Sequence, residues 1–175
     1  LSREINDLHG KTLGIIGKGS IGMKVGRIAK AFGMNINYFS VRNYKKTQFL
    51  KFLSSLDYLS VHCPLNEKTK DLITIKELKI MKKNMILINT ARGGIVNEND
   101  LTKALKQKII AGAGIDVTTS EPPKKSHAYY SILNEANFIW TPHTAWASNE
   151  TLQEAINQLI KNINSFYKGR KRNIV

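Results

Sequence analysis

Hydrophobic and polar positions follow two rhythms along this chain. Short apolar runs, each flanked by Gly, Asn, Pro or Thr, occur at TLGII (12 to 16), INYF (36 to 39), YLSV (58 to 61), MILIN (85 to 89), AGIDV (113 to 117) and NFIW (137 to 140). Their length and flanks predict buried strands. Between them apolar positions recur at helical spacing, over 20 to 32, over 47 to 56, and in ITIKELKIM with its early Thr. In NENDLTKALKQ, Asn97 is followed three residues later by Asp100, a pairing that suits a capped helix start. The last helix is the clearest: Leu152, Ala155, Ile156, Leu159, Ile160, Ile163 and Phe166 fall on one stripe.

Strand and helix in such alternation predict a parallel sheet with helices on both faces, the doubly wound α/β class. No internal repeat or low-complexity segment interrupts it. EPPKKSHA is the one Pro-rich loop. The expected division is a dinucleotide-binding domain over 1–150 and a C-terminal helix and tail over 151–175 that leave it.

Composition narrows the class. A chain of 175 residues can bury one sizeable core without covalent staples. The one cysteine, Cys63, has no partner for an internal disulfide, and no apolar stretch reaches membrane-spanning length, so a reduced, cytoplasmic protein without a membrane is expected. The start at Leu1, with no signal-peptide core in LSREINDLHG, reads as a cut within a longer chain. A net charge of +14 raises nucleic acid as a partner. The cations, however, are spread as KK and K-x-K pairs along helix faces and in a terminal KGRKR, with no helix-turn-helix, RNP or zinc pattern beside them. They read as a solvated surface. No nucleic-acid partner and no metal site are expected.

The first predicted strand runs into GKGSIG, placing Gly17, Gly19 and Gly22 in G-x-G-x-x-G spacing before a helix. This strand, turn and helix form the Rossmann context in which such glycines cradle a pyrophosphate: the first for the tight turn, the second for close approach of backbone, the third for helix packing. An acidic residue for the ribose hydroxyl should end the second strand, yet Ser40 stands there, with Arg42, Lys45 and Lys46 close by. A 2′-phosphate meets no repulsion at this point. NAD and NADP both stay open as cofactors.

In the commonest strand order for this fold, 3-2-1-4-5-6, the fourth strand lies beside the first, so Arg92 at its end should face the glycine loop. Asp116 and Glu121 follow the fifth strand, and His143 the sixth. Together they suit reduction of a carbonyl beside a carboxylate. Arg92 offers a planar fork to the carboxylate, His143 a proton to the carbonyl oxygen, and Glu121 a charge that favours the imidazolium. Each residue also has a plainer reading: His143 as a loop cap, Glu121 as surface, Arg92 as a tie between loops. His62 in VHCPL falls farther out in this order and reads as a wall or loop histidine. His9 and His127 have no supporting context.

These motifs resemble those of the D-isomer-specific 2-hydroxyacid dehydrogenases over nearly the whole chain: LHGKTLGIIGKGSIG, VHCPL, INTARGGIVNENDL, AGAGIDV with EPP, and TPHTAW, in the family's order. The resemblance implies Arg92 as substrate-orienting residue, His143 as acid and base, Glu121 as its partner, and Asp116 near the nicotinamide amide. It further implies Ser20 and Ile21 at the pyrophosphate, with Cys63, Pro64, Thr90 and Ala91 lining the cofactor cleft. Ser40 departs from the family's frequent Asp. The half of the substrate domain that precedes the cofactor domain in this family is absent, so the chain alone should bind dinucleotide and turn over poorly. The helix and tail over 151–175 resemble the segment that returns to that missing domain.

The H-x-A-W form around His143 is more like glycerate dehydrogenase (hydroxypyruvate or glyoxylate reductase), and Glu121 is unlike the formate dehydrogenase branch. The family also implies a homodimer through the cofactor domain and a small 2-keto or 2-hydroxy acid as substrate. Because it includes C-terminal binding protein corepressors, the competing expectation is a dinucleotide-sensing interaction protein without turnover.

Overall fold

A computed structural model describes residues 6–174 of the chain. Residues 1–5, on which the reading of the chain start falls, lie outside the described residues, as does residue 175. The chain divides into two compact units, Leu1–Pro142 and His143–Val175.

In the first unit the elements run β1 (Thr12–Ile16), α1 (Ser20–Ala31), β2 (Asn35–Phe39), α2 (Lys46–Ser54), β3 (Tyr58–Val61), α3 (Ile75–Leu78), β4 (Ile86–Asn89), α4 (Glu98–Lys106), β5 (Gly112–Ile115) and β6 (Phe138–Trp140). Each apolar run read from the sequence became a strand. All neighbouring pairs are parallel, and the described residues form a six-stranded sheet in the order β2-β1-β3-β4-β5-β6. This is the doubly wound α/β fold.

The order corrects one expectation. After β2 the chain crosses back through α2 and pairs β3, not the fourth strand, with β1 (Leu13 opposite Tyr58, Ile16 opposite Val61). The 3-2-1-4-5-6 order needs a further strand outside β2, and only a short 3-10 turn (Val41–Asn43) and α2 lie between β2 and β3. The winding therefore reverses between β1 and β3, and the ligand crevice of such folds opens beyond their ends. His62 and Cys63 flank the glycine turn. Arg92, after β4, sits one strand farther away.

Successive residues of β1 serve opposite faces of the sheet, as a period of two requires. Leu13 and Ile15 join Ala29 and Met34 in the smaller apolar cluster, while Ile16 belongs to the larger one with Phe49, Leu53, Leu59, Leu87 and Leu101. A parallel sheet covered on both sides needs such doubly apolar strands. Local signals fix the helix starts. The Asn97 side chain accepts the Asp100 N–H at 3.0 Å to open α4. The Asp100 carboxylate turns away to accept the Ile75 N–H at 2.9 Å, and Thr74 with Glu77 closes a capping box on α3.

In the second unit α5 (Asn149–Tyr167) begins at Ser148, whose hydroxyl accepts the Thr151 N–H at 3.2 Å. Its tail folds back, with Arg172 donating to Asn162 and Gln158. The predicted stripe is present and none of it is buried; Ile156, Leu159 and Phe166 are exposed. Among the described residues, no helix is long and apolar enough to cross a membrane.

Candidate active site

The glycine turn is fastened on both sides. Gly17 donates to the Phe39 carbonyl at 3.0 Å, and His62 N–H donates to the Ile16 carbonyl at 2.7 Å. Gly17 has φ of +104°, and a Cβ there would lie 2.5 Å from the His62 carbonyl oxygen, so no other residue fits. At Gly22 a Cβ would come within 2.1 Å of the Gly17 oxygen, which seats the first turn of α1 on the loop. Gly19 differs: nothing lies within 4 Å of the place its Cβ would take. No side chain caps α1 and no acidic residue occupies its first turn. The N–H groups at Ser20, Ile21 and Gly22, with the positive end of the helix dipole, are thus open to an anion. A dinucleotide pyrophosphate fits this cradle.

Beyond β2, Ser40 accepts the Arg42 N–H at 3.4 Å and caps the turn that follows. Arg42 and Lys45 are exposed. Lys46 is engaged elsewhere, because it pairs with the buried carboxylate of Glu77. Burial alone would raise the Glu77 pKa, but the Lys46 and Thr74 hydrogen bonds outweigh it and hold the group below its ordinary value. Of the three cations near Ser40, Arg42 and Lys45 thus stay at the surface beside it.

The backbone of His62 and Cys63 borders the glycine turn, as the corrected strand order requires. His62 is half-buried with Nε2 2.8 Å from Ser60 Oγ, and burial holds its imidazole below the ordinary range. The Cys63 thiol points into the large apolar cluster and is pushed up to about 11 by burial. What Cys63 presents to the cleft is therefore backbone. Pro64, beside it, is exposed.

Arg92 lies on a turn shaped by Asn89, a residue the sequence reading passed over. Asn89 Oδ1 accepts the Ala91 N–H, and its amide donates to the Arg92 carbonyl, both at 3.0 Å. Thr90 and Ala91 are half-buried along this turn, while the Arg92 guanidinium is exposed and donates to the Ala91 carbonyl. Gly93 presses on the next loop: a Cβ there would fall 2.0 Å from the Thr118 carbonyl carbon. On that loop the Glu121 carboxylate accepts the Thr118 N–H at 3.0 Å. The structure thus brings together the turn bearing Arg92 and the loop bearing Glu121.

Asp116 is buried at the end of β5, and its carboxylate accepts the Thr141 hydroxyl at 2.5 Å. Its amide N–H also donates to the Asn89 carbonyl at 3.0 Å. Thr141 was missed in the sequence reading; the TPH triplet drew attention only to its histidine. His143 opens the second unit, half-buried, with φ of +53°. His127, given no context by the sequence, is tightly held, with Nε2 2.8 Å from Glu98 and its ring stacked on Trp140.

Comparison with known proteins identifies the family. Residues 2–145 match the family model described as D-isomer specific 2-hydroxyacid dehydrogenase, NAD binding domain. The chain is 43% identical over 175 residues to a glycerate dehydrogenase of Methylorubrum extorquens, covering 98% of this chain and 54% of that protein. It is 40% identical over 173 residues to a glyoxylate reductase of Thermococcus litoralis, covering 93% and 50% respectively. Among solved structures, the NAD complexed form of a D-isomer specific 2-hydroxyacid dehydrogenase from Lactobacillus delbrueckii ssp. bulgaricus superimposes with a TM-score of 0.88 at 31% identity, over 97% of this chain and 57% of the other. The chain spans about half the length of the curated relatives it matches. With a dinucleotide cradle at the β1 end and the family's pattern over most of its length, the chain belongs to the D-isomer specific 2-hydroxyacid dehydrogenase family and carries its NAD-binding domain.

Proposed function

We propose that the full protein containing this chain is a nicotinamide-dependent oxidoreductase that interconverts a small 2-keto acid and its 2-hydroxy acid. The observation that carries this reading is the close contact of Gly93 with Thr118, which fastens the Arg92 turn to the Glu121 loop at the sheet edge that also holds the dinucleotide cradle. The nicotinamide supplies the hydride when bound. Arg92 orients the substrate carboxylate through its planar fork. His143 gives a proton to the carbonyl oxygen during reduction and takes it back during oxidation, with Glu121 steadying the charged imidazole. Asp116, held by Thr141, faces the nicotinamide amide. The positive φ of His143 supports a functional histidine, since a conformation costing about 1–3 kcal/mol is kept where it positions a group.

Ser40 in place of a carboxylate, with exposed Arg42 and Lys45, supports acceptance of NADP beside NAD. Glyoxylate and hydroxypyruvate are the first substrates to try, from the names of the relatives and the HTAW segment. Pairing of two copies through the cofactor unit belongs to the same reading, supported by Ile21, Ile28 and Phe32, exposed along one side of α1. The test is titration of the full-length protein with NADH and NADPH, followed by turnover of glyoxylate, hydroxypyruvate and pyruvate. His143→Asn should keep cofactor binding and lose reduction by about 100-fold or more. A wild-type protein that binds NADH and leaves all three acids unchanged overturns the reading.

A further inference from the structure

The carboxylate of Glu98, at the start of α4, does more than complement the helix dipole. Its Oε1 accepts the Thr119 N–H at 2.7 Å, and its Oε2 accepts the Thr119 hydroxyl at 2.8 Å. Oε2 also meets His127 Nε2 at 2.8 Å. The far side of the same ring is engaged, because Nδ1 accepts the Tyr129 N–H at 3.3 Å. Both bonds are satisfied when the ring proton sits on Nε2 and points at Glu98. Stacking on Trp140 and edge contact with Tyr129 fix the ring plane. The two side chains are only 9% and 12% exposed, so this pair works largely out of water.

Thr119 is the residue that this pair holds, and it lies between two proposed catalytic groups. Its neighbour Thr118 donates its N–H to the Glu121 carboxylate at 3.0 Å. A Cβ on Gly93 would lie 2.3 Å from the Thr119 nitrogen, so the backbone following Arg92 rests on the clamped peptide. One anchor therefore sets two loops.

We infer that Glu98 and His127 are positioning residues for the reaction: they lock the Thr118–Thr119 peptide, and through it set Glu121 and the Arg92 turn relative to each other. Neither needs to touch substrate. Placement errors of an ångström at reacting groups are costly in rate, which is what such a lock prevents. The inference rests on the proposed dehydrogenase reading, since the groups it positions are those assigned there.

The test compares Glu98→Gln, Glu98→Ala and Thr119→Val in the full-length protein. Glu98→Gln keeps an acceptor for the Thr119 amide but can set an amide N–H against His127; Glu98→Ala removes every bond. Both should bind NADH as the wild type does and lose about tenfold in kcat, with KM for the keto acid raised severalfold. A merely structural role would lower the melting temperature and leave kcat and KM of the folded protein as in the wild type. Thr119→Val, which deletes one bond, should change kcat and KM less and in the same direction. A lowered melting temperature with kcat and KM unmoved, or a loss of NADH affinity in step with kcat, overturns the inference. If the wild type reduces no keto acid, the function reading fails first, and the lock is judged by hydrogen exchange. Amides of Thr118 and Thr119 exchanging about tenfold faster in Glu98→Ala support it, and unchanged protection overturns it.

Discussion

The peptide of Gly93 lies so close to Thr118 that a Cβ on Gly93 would sit 2.2 Å from the Thr118 carbonyl oxygen. Two loops that leave adjacent parallel strands are thus joined backbone to backbone. Gly93→Ala must push them apart, since the atoms it meets belong to backbone and cannot rotate away. The expected cost is about 1–3 kcal/mol of stability, measured by urea unfolding, with weaker binding of keto-acid analogues. An unchanged urea midpoint would mean that the loops are free to separate.

Gly19→Ala should behave in the opposite way. Its φ of −86° suits any residue, and its Cβ would enter open space, so the melting temperature should hold. The added methyl stands where the pyrophosphate approaches. NADH affinity, followed by quenching of protein fluorescence, should fall about tenfold. Retained affinity would show that the phosphates lie elsewhere.

Ser40→Asp tests the adenosine end. A carboxylate there can accept from the ribose diol and repel a 2′-phosphate beside Arg42. The ratio of NADPH to NADH dissociation constants should rise by about tenfold or more through an electrostatic cost of about 1–2 kcal/mol. Equal loss of both cofactors would place the ribose away from position 40.

At the other edge of the sheet, Asp57 accepts from Thr12 N–H at 2.9 Å and Lys82 Nζ at 2.8 Å. Burial works to raise its pKa, but the bonds to Lys82 and Thr12 prevail and hold it below the ordinary 3.8. A group lowered in the folded state stabilises above its unfolded value and loses that contribution as pH falls through the folded one. Asp57→Asn should therefore cost about 1–2 kcal/mol at pH 7, with the gap to wild type closing as pH falls below about 4. NADH binding at pH 7 should be unaffected. Urea titrations at several pH values read both limbs.

Local signals carried most of the fold. TLGII and YLSV became β1 and β3 at their predicted ends, because a doubly covered strand is apolar throughout and stops where polar loop residues begin. The opening of α4 was legible in Asn97, since capping acts within three residues, whereas the Asp100 carboxylate serves Ile75 instead. Sheet order was not. Which strand lies beside β1 depends on a crossover through α2, and no periodicity in either strand records it. His62 was consequently placed too far from the glycine turn. The Glu98–His127 and Asp116–Thr141 bonds span 29 and 25 residues and leave no rhythm in the sequence either. Glycine spacing could be read because Gly17 and Gly22 have no room for a Cβ, a demand written within six residues of one turn.

The lone sulfhydryl has a practical sequel. Packed among aliphatic side chains and kept as the neutral thiol at any ordinary pH, Cys63 offers peroxide or maleimide almost no thiolate to attack. Maleimide uptake by this unit should therefore wait on global opening, which makes the sulfur a reporter of unfolding.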